Sequence, residues 1–304
     1  MSNISLAVDL GGLRIRNPVM NAAGVLGMNQ MLMRRVYESG AGAVVSKSIG
    51  PEPRVGHENP TFINLGYGGL NAMGLPNPGV EHFAEEARQL TASGIPLVAS
   101  FFGSTVEDFV RVARALDAAG ADALELNGSC PNVAEEMGML AADPENLRMV
   151  TWEVKRSVSK PLFVKLSPNV TDIGEVAKAA EEGGADAITA VNTLKGMVIN
   201  PDFKKPVLTN RTGGLSGPAL KPVALRCVWE IYQSVGIPIV GCGGVSTGRD
   251  AVEYFLAGAS AVQIGTAVMY RGVKVFREVC GGIEEYMSRE GFTEVGELVG
   301  LAHG

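Results

Sequence analysis

The 304-residue chain is 46% hydrophobic and 19% charged, the makeup of a globular protein long enough to bury a large core. A formal net charge of -6, with Lys and Arg scattered along the chain, leaves no basic footprint for nucleic acid and reads simply as a solvated acidic surface. Four cysteines, Cys130, Cys227, Cys242 and Cys280, form no C-x-x-C pair, which argues against a zinc ribbon or an iron–sulfur cluster within the chain and leaves the thiols expected to be reduced.

The chain opens on MSNISLAVDLGG, which has neither a basic start nor an apolar core of signal-peptide length, and no later run approaches the ~18 apolar residues of a membrane span. A cytoplasmic protein is expected. Strand-like apolar runs then recur: PVMNAA (18–23), AVVSKS (43–48), PLVASF (96–101), ALELN (123–127), PLFVKL (161–166), AITAVN (187–192), IPIVGC (237–242) and SAVQIG (260–265). Between them lie amphipathic stretches with apolar residues at helical spacing, among them 106–120, 146–159 and 172–184. A small-residue turn closes several helices, in SGAGA (39–43), AAGADA (118–123), EGGADA (182–187) and LAGASA (256–261), where glycine takes the left-handed cap conformation. With no Pro/Ser-rich linker and no Rossmann fingerprint, the alternation predicts one (β/α)8 TIM barrel spanning residues 1–304 rather than an open doubly wound sheet.

Two connections are too long for turns, residues 49 to 80 and 195 to 217. Both follow strand C-terminal ends, the active face of a barrel. Their glycines, amides and hydroxyls suit a polar planar ligand. Polar residues also interrupt the strands at that end: Lys47, Asn127, Lys165 and Asn192. Strand alternation puts Lys165 on the face of Phe163, pointing inward, and Glu125 on the face of Asn127, where a carboxylate needs a partner. A lysine at a strand end also snorkels to solvent without any further role.

Near the last two strands, GCGGVSTG (241–248) and IGTA (264–267) offer backbone N–H groups at helix starts, where barrels hold phosphate, although glycines equally serve tight turns. Cys130 lies in LNGSCPN beyond the fourth strand, flanked by Asn127, Ser129 and Asn132, which could orient a flat heterocycle; a lone cysteine is more often an inert buried hydrophobe. His57, His82 and His303 show no triad or metal spacing and read as surface or loop residues, and no metal site is expected.

The motifs LNAMGLPNPG (70–79), LNGSCPN (126–132), VKLSPN (164–169), VNTLKGM (191–197), TGGLSGPALKPVALR (212–226), GCGGV (241–245) and GASAVQIGTA (258–267) together resemble class 1 dihydroorotate dehydrogenases over nearly the whole chain. Cysteine in SCPN and the insert leading into TNRTGGLSGPALKP look like the NAD-linked class 1B catalytic subunit more than the fumarate-using class 1A enzyme. The resemblance implies oxidation of dihydroorotate to orotate in pyrimidine biosynthesis, with Cys130 as catalytic base and FMN as hydride acceptor. It implies flavin contacts at Ala23, Lys47, Ser48, Ser100, Asn127, Lys165, Val191, Gly217, Gly243, Gly244, Gly265 and Thr266. Substrate contacts fall on Lys47, Asn71, Ala72, Met73, Gly74, Leu75, Asn127, Asn132, Asn192 and Thr193.

It further implies a homodimer within a heterotetramer, whose partner subunit carries FAD and an iron–sulfur cluster and passes electrons to NAD. Ala23 stands where the family often has serine, and Ser100 where it often has asparagine, each removing one possible hydrogen bond to the flavin. Two rivals share parts of the pattern. A dihydropyrimidine dehydrogenase-like flavoenzyme would act on uracil or thymine, and a non-redox lyase or isomerase barrel would hold a sugar phosphate on the same glycines.

Overall fold

A computed structural model describes residues 4–128, 140 and 143–304. The eight predicted runs become eight parallel strands, numbered here in chain order: β1 (Val19–Asn21), β2 (Val44–Val45), β3 (Leu97–Phe101), β4 (Ala123–Asn127), β5 (Leu162–Leu166), β6 (Ala187–Ala190), β7 (Ile239–Cys242) and β8 (Ala261–Ile264). They join in the order β1-β8-β7-β6-β5-β4-β3-β2. A bridge between Met20 and Ala43, with Gly42 N donating to Val19 O at 2.7 Å, brings β2 back to β1 and closes a TIM barrel.

The helices are α1 (Gln30–Glu38), α2 (Val80–Thr91), α3 (Val106–Ala118), α4 (Pro144–Lys155), α5 (Ile173–Glu182), α6 (Lys221–Tyr232), α7 (Gly248–Leu256), the short α8 (Ala267–Arg271) and α9 (Val275–Glu290). Their starts follow from local chemistry. Asn29, Thr105, Asp143, Asp172 and Thr247 each accept a backbone N–H of the first turn, satisfying donors that a helix start otherwise leaves open. Their ends follow the glycine turns read from sequence: Gly40, Gly120, Gly184 and Gly258 all have positive φ. In two of those turns the aspartate has a second duty. Asp122 accepts from Leu97 N at 2.8 Å and Asp186 from Leu162 N at 2.7 Å, each pinning the start of the preceding strand.

Strand parity divides the core. Leu124, Leu126, Leu162, Val164, Leu166 and Ile188 face outward and pack under the helices. Met20, Val45, Val98, Ala123, Phe163, Ala187, Val240 and Ala261 fill the interior, joined by Leu10, Leu13 and Ile15 from an antiparallel hairpin (Val8–Leu10 with Leu13–Ile15) packed against that interior layer. Both faces of the strands are therefore apolar at this level, as buried parallel strands require. Toward the strands' C-terminal ends the interior residues turn polar.

The two long connections are not irregular loops. Phe62–Asn64 and Gly69–Asn71 from the first, with Leu194–Met197 and Thr212–Ser216 from the second, form a four-stranded antiparallel sheet in the order Leu194–Met197, Thr212–Ser216, Gly69–Asn71, Phe62–Asn64. A further pair, Pro53–Arg54 with Asn77–Pro78, clasps the base of the first excursion.

Candidate functional site

Continuing the inward parity of each strand toward the mouth brings Ser100, Glu125, Asn127, Lys165, Thr189, Cys242 and Gln263 into one interior. Lys165, 5% exposed, points inward as its alternation predicts. Its Nζ donates to Gln263 Oε1 at 2.8 Å and lies 3.8 Å from Glu125 Oε1 and 3.9 Å from Cys242 Sγ. Burial works against the ammonium, but Cys242, once its thiol ionises at high pH, and the Glu125 carboxylate outweigh it and hold Lys165 above the ordinary lysine range. Burial pushes the Cys242 thiol up, against the pull of Lys165. Glu125 has the partners its parity demanded: its Oε2 accepts from Thr189 Oγ1 at 2.9 Å and from Gln263 Nε2 at 2.7 Å.

Lys47 has a different environment. Its backbone N donates to Gly27 O at 2.9 Å, and its side chain crosses to the loop after β1, where a Cβ on Gly24 would stand 3.4 Å from Nζ. Among the described residues no carboxylate or other acceptor takes a hydrogen bond from this ammonium. Burial alone acts on it and lowers its pKa. A half-buried cation with no counter-charge in reach is suited to an anionic group. Ala23, half-buried, precedes Gly24 in the same loop.

A row of uncharged polar groups continues from Lys47. Ser48 Oγ and Ser100 Oγ are 2.9 Å apart, Asn127 Nδ2 reaches Ser48 Oγ at 3.4 Å, and Asn192 Nδ2 lies 3.5 Å from Asn127 Oδ1. Ser100 is fully buried, and its hydroxyl is engaged with Ser48 within this row. Val191 N donates to Cys242 O at 2.8 Å, fixing the backbone between β6 and Asn192.

The glycine turns converge beside β7 and β8. A Cβ on Gly244 would meet Gly217 O at 2.8 Å and Lys221 Cβ at 2.8 Å, and one on Gly217 would lie 3.3 Å from Thr266 Cγ2. Gly217, Gly243 and Gly244 have φ of 84°, 142° and 73°, which only glycine adopts without strain. Among the described residues the N–H groups of Gly243, Gly244, Gly265 and Thr266 donate to no protein acceptor. Four open donors around a concave turn fit a phosphate. Thr266 Oγ1 donates to Ser216 Oγ at 2.8 Å, tying this cradle to the four-stranded sheet.

That sheet forms the remaining wall. Asn71 Nδ2 donates to Gly214 O at 3.2 Å, His57 Nδ1 pairs with Ala72 O and His57 N donates to Met73 O, while Gly74 and Leu75 both have positive φ. Asn77, buried, accepts from Gly50 N and Gly79 N and donates to Leu75 O. Thr193 N donates to Asn192 Oδ1, and Thr193 packs on Gly214. Asn71 to Leu75 and Asn192 to Thr193, far apart in sequence, thus line one rim. Ser129, Cys130 and Asn132 lie outside the described residues.

Sequence reasoning passed over several participants. Gln263, Thr189 and Cys242 complete the interior network around Lys165, and Asn169 braces the rim by donating to Ser167 Oγ and Thr193 O while accepting from Lys195 N. Asn21 joins β1 to β2, accepting from Val45 N at 2.8 Å and donating to Val45 O at 2.7 Å and Val25 O at 2.8 Å. Polar residues inside apolar strands were the available signal, and VMN and AVQI carry it as plainly as FVKL. Of the histidines, His82 is exposed, and His303 stacks on Trp229 with centroids 3.6 Å apart. Among the described residues no group of acidic, cysteine and histidine side chains could hold a metal ion, and no helix is long and apolar enough to cross a membrane.

Comparison with known proteins gives one answer at several levels. A family model described as dihydroorotate dehydrogenase matches residues 5–287. The chain is 50% identical over 298 residues to the dihydroorotate dehydrogenase B (NAD(+)), catalytic subunit, of Pyrococcus abyssi (strain GE5 / Orsay), covering 98% of this chain and 99% of that one. It is 50% identical over 301 residues to the protein of the same name from Methanocella arvoryzae (strain DSM 22066 / NBRC 105507 / MRE50), with 99% and 98% covered. Among solved structures, a crystal structure of DHODH from Eimeria tenella in complex with ferulenol superposes with a TM-score of 0.85 at 25% identity, over 98% of this chain and 88% of that one.

Proposed function

The chain belongs to the dihydroorotate dehydrogenase family, and from that premise we propose that it is the FMN-bearing catalytic subunit of an NAD-linked enzyme oxidising dihydroorotate to orotate for pyrimidine synthesis. Lys47 carries the reading. An ammonium without a counter-charge, beside a row of uncharged amides and hydroxyls and in the same barrel mouth as four open N–H donors, matches a phosphorylated planar cofactor together with a carboxylate substrate.

Gly217, Gly243, Gly244, Gly265 and Thr266 would hold the FMN phosphate, and Ala23, Lys47, Ser48, Ser100, Asn127, Lys165 and Val191 the ring system. When bound, FMN supplies a two-electron acceptor for the hydride leaving C6 of dihydroorotate. Lys47 pairs with the substrate carboxylate, while Asn71 to Leu75, Asn127, Asn132, Asn192 and Thr193 hold the pyrimidine flat by hydrogen bonds. Cys130 takes the proton from C5. A thiol, with a reference pKa of about 8.5, is close enough to working pH to serve as base without a dedicated histidine. Lys165 keeps a positive charge in the wall against which negative charge can develop.

The whole chain is read as one FMN-binding barrel domain of a cytoplasmic enzyme. It forms a homodimer within a heterotetramer, in which a subunit bearing FAD and an iron–sulfur cluster carries electrons on to NAD. Anaerobic mixing with dihydroorotate tests the assignment directly. Purified protein is expected to be yellow, to bleach on mixing and to release one orotate per flavin, with dihydrouracil inert. Colourless protein, or a flavin that dihydroorotate leaves oxidised, would overturn the proposal.

A further inference from the structure

A lysine inside a barrel gives up its proton unless something opposes the loss of water. Four strands present side chains to Lys165: Glu125 from β4, Thr189 from β6, Cys242 from β7 and Gln263 from β8. Among the described residues Glu125 is the one carboxylate within ion-pair distance. The thiol of Cys242, pushed up by burial, is neutral at working pH and supplies no counter-charge.

The geometry of the pair is unusual for a structural ion pair. Glu125 is fully buried and places both donors, Thr189 and Gln263, on Oε2; its Oε1 has no hydrogen-bond partner and lies 3.8 Å from Lys165 Nζ. Gln263 spans the gap, donating from Nε2 to the carboxylate and accepting at Oε1 from the ammonium, which fixes the amide's orientation and the spacing of the two charges. Strand register sets Glu125 opposite Phe163 and Lys165 opposite Asn127, so the carboxylate sits one layer deeper than the ammonium. Apolar side chains of equal volume would support the fold as well or better than a buried ion pair. What the pair provides is a positive charge at a fixed depth.

Building on the FMN reading, we infer that Glu125 and Gln263 are positioning residues: they hold the Lys165 ammonium ionised and immobile in the barrel wall, and so set how readily the flavin accepts electrons. Lys165 touches the cofactor in that reading, and Glu125 and Gln263 act through it. With the carboxylate replaced by an amide, burial prevails and Lys165 loses its proton at lower pH, so the flavin loses the positive charge that this side chain supplies.

The test is anaerobic reduction of the FMN-loaded protein across a pH series, following flavin absorbance and midpoint potential. In the parent no step belonging to Lys165 is expected below the reference lysine value of about 10.4. Glu125→Gln is expected to introduce such a step about two units or more lower, within the range that burial produces, with a lower potential on its alkaline side. Gln263→Leu is expected to introduce a smaller step of the same sign, and Glu125→Gln combined with Lys165→Met none. Should Glu125→Gln fail to fold, parent against Lys165→Met decides: a difference in potential that stays constant with pH supports the inference, and one that titrates near neutrality overturns it. A yellow Glu125→Gln protein whose spectrum and potential follow pH as the parent's do, with no added step, overturns the inference and leaves the flavin reading standing. A parent without flavin overturns both.

Discussion

Lys47 and Lys165 occupy the same barrel mouth with opposite electrostatic fates, because one has a carboxylate in reach and the other has none. That difference makes a pH prediction for Lys47. Its pKa is lowered in the free protein, and an anion beside it raises it again, so anion binding takes up a proton wherever pH lies between the two values. Orotate affinity is therefore expected to be fully present below the free-protein pKa and to fall as pH rises through it toward the ordinary lysine range. Flavin-fluorescence titrations with orotate should show this decline, and Lys47→Gln should bind weakly with the decline gone.

Cys130→Ala is expected to keep FMN and orotate binding while turnover falls by about 10²–10⁴, the share a positioned base contributes; near-parental turnover in steady-state assays would contradict its role. The inward aim of Lys165 and Glu125 was legible in sequence because a period of two fixes which side chains share a face. Gln263 was not legible as their link, since it lies 98 residues from Lys165 and only the closure of the barrel brings them together.

At the scale of elements, the strands and the glycine-ended helices could be read because each is dictated locally, by apolar runs, helical spacing and left-handed caps. The weakest seam of the barrel could not. Between β1 and β2 the ladder reduces to a bridge, and Asn21 supplies what is missing by pairing with both the N–H and the C=O of Val45. Asn21→Ala would leave those buried groups without partners, at an expected cost of about 2–4 kcal/mol, measurable as a lower urea midpoint with an unchanged slope. The excursions over 49–80 and 195–217 read as loops because their strands are rich in glycine and lack the apolar runs of the barrel strands. Their pairing is set by the barrel beneath, which holds Asn71 opposite Gly214.

For the whole molecule, electron flow is the open half of the reaction. The chain presents neither a nicotinamide fingerprint nor an iron–sulfur cysteine set in its sequence, so rapid NAD reduction is expected only when an FAD and iron–sulfur subunit is added. Stopped-flow traces of the isolated subunit should show fast flavin bleaching by dihydroorotate and negligible NADH formation; fast NADH formation by the chain alone would exclude the partner's role.

The sheet over the mouth stitches together residues 143 positions apart, as Asn71 to Gly214, on strands less buried than those of the barrel. Such a seam breathes on its own, opening and reclosing while the cylinder below stays shut. Amide deuteration at Gly69–Asn71 and Thr212–Ser216 should therefore outpace that of β4 and β5. Adding orotate should slow the seam selectively, making it the part of the molecule where occupancy is felt first.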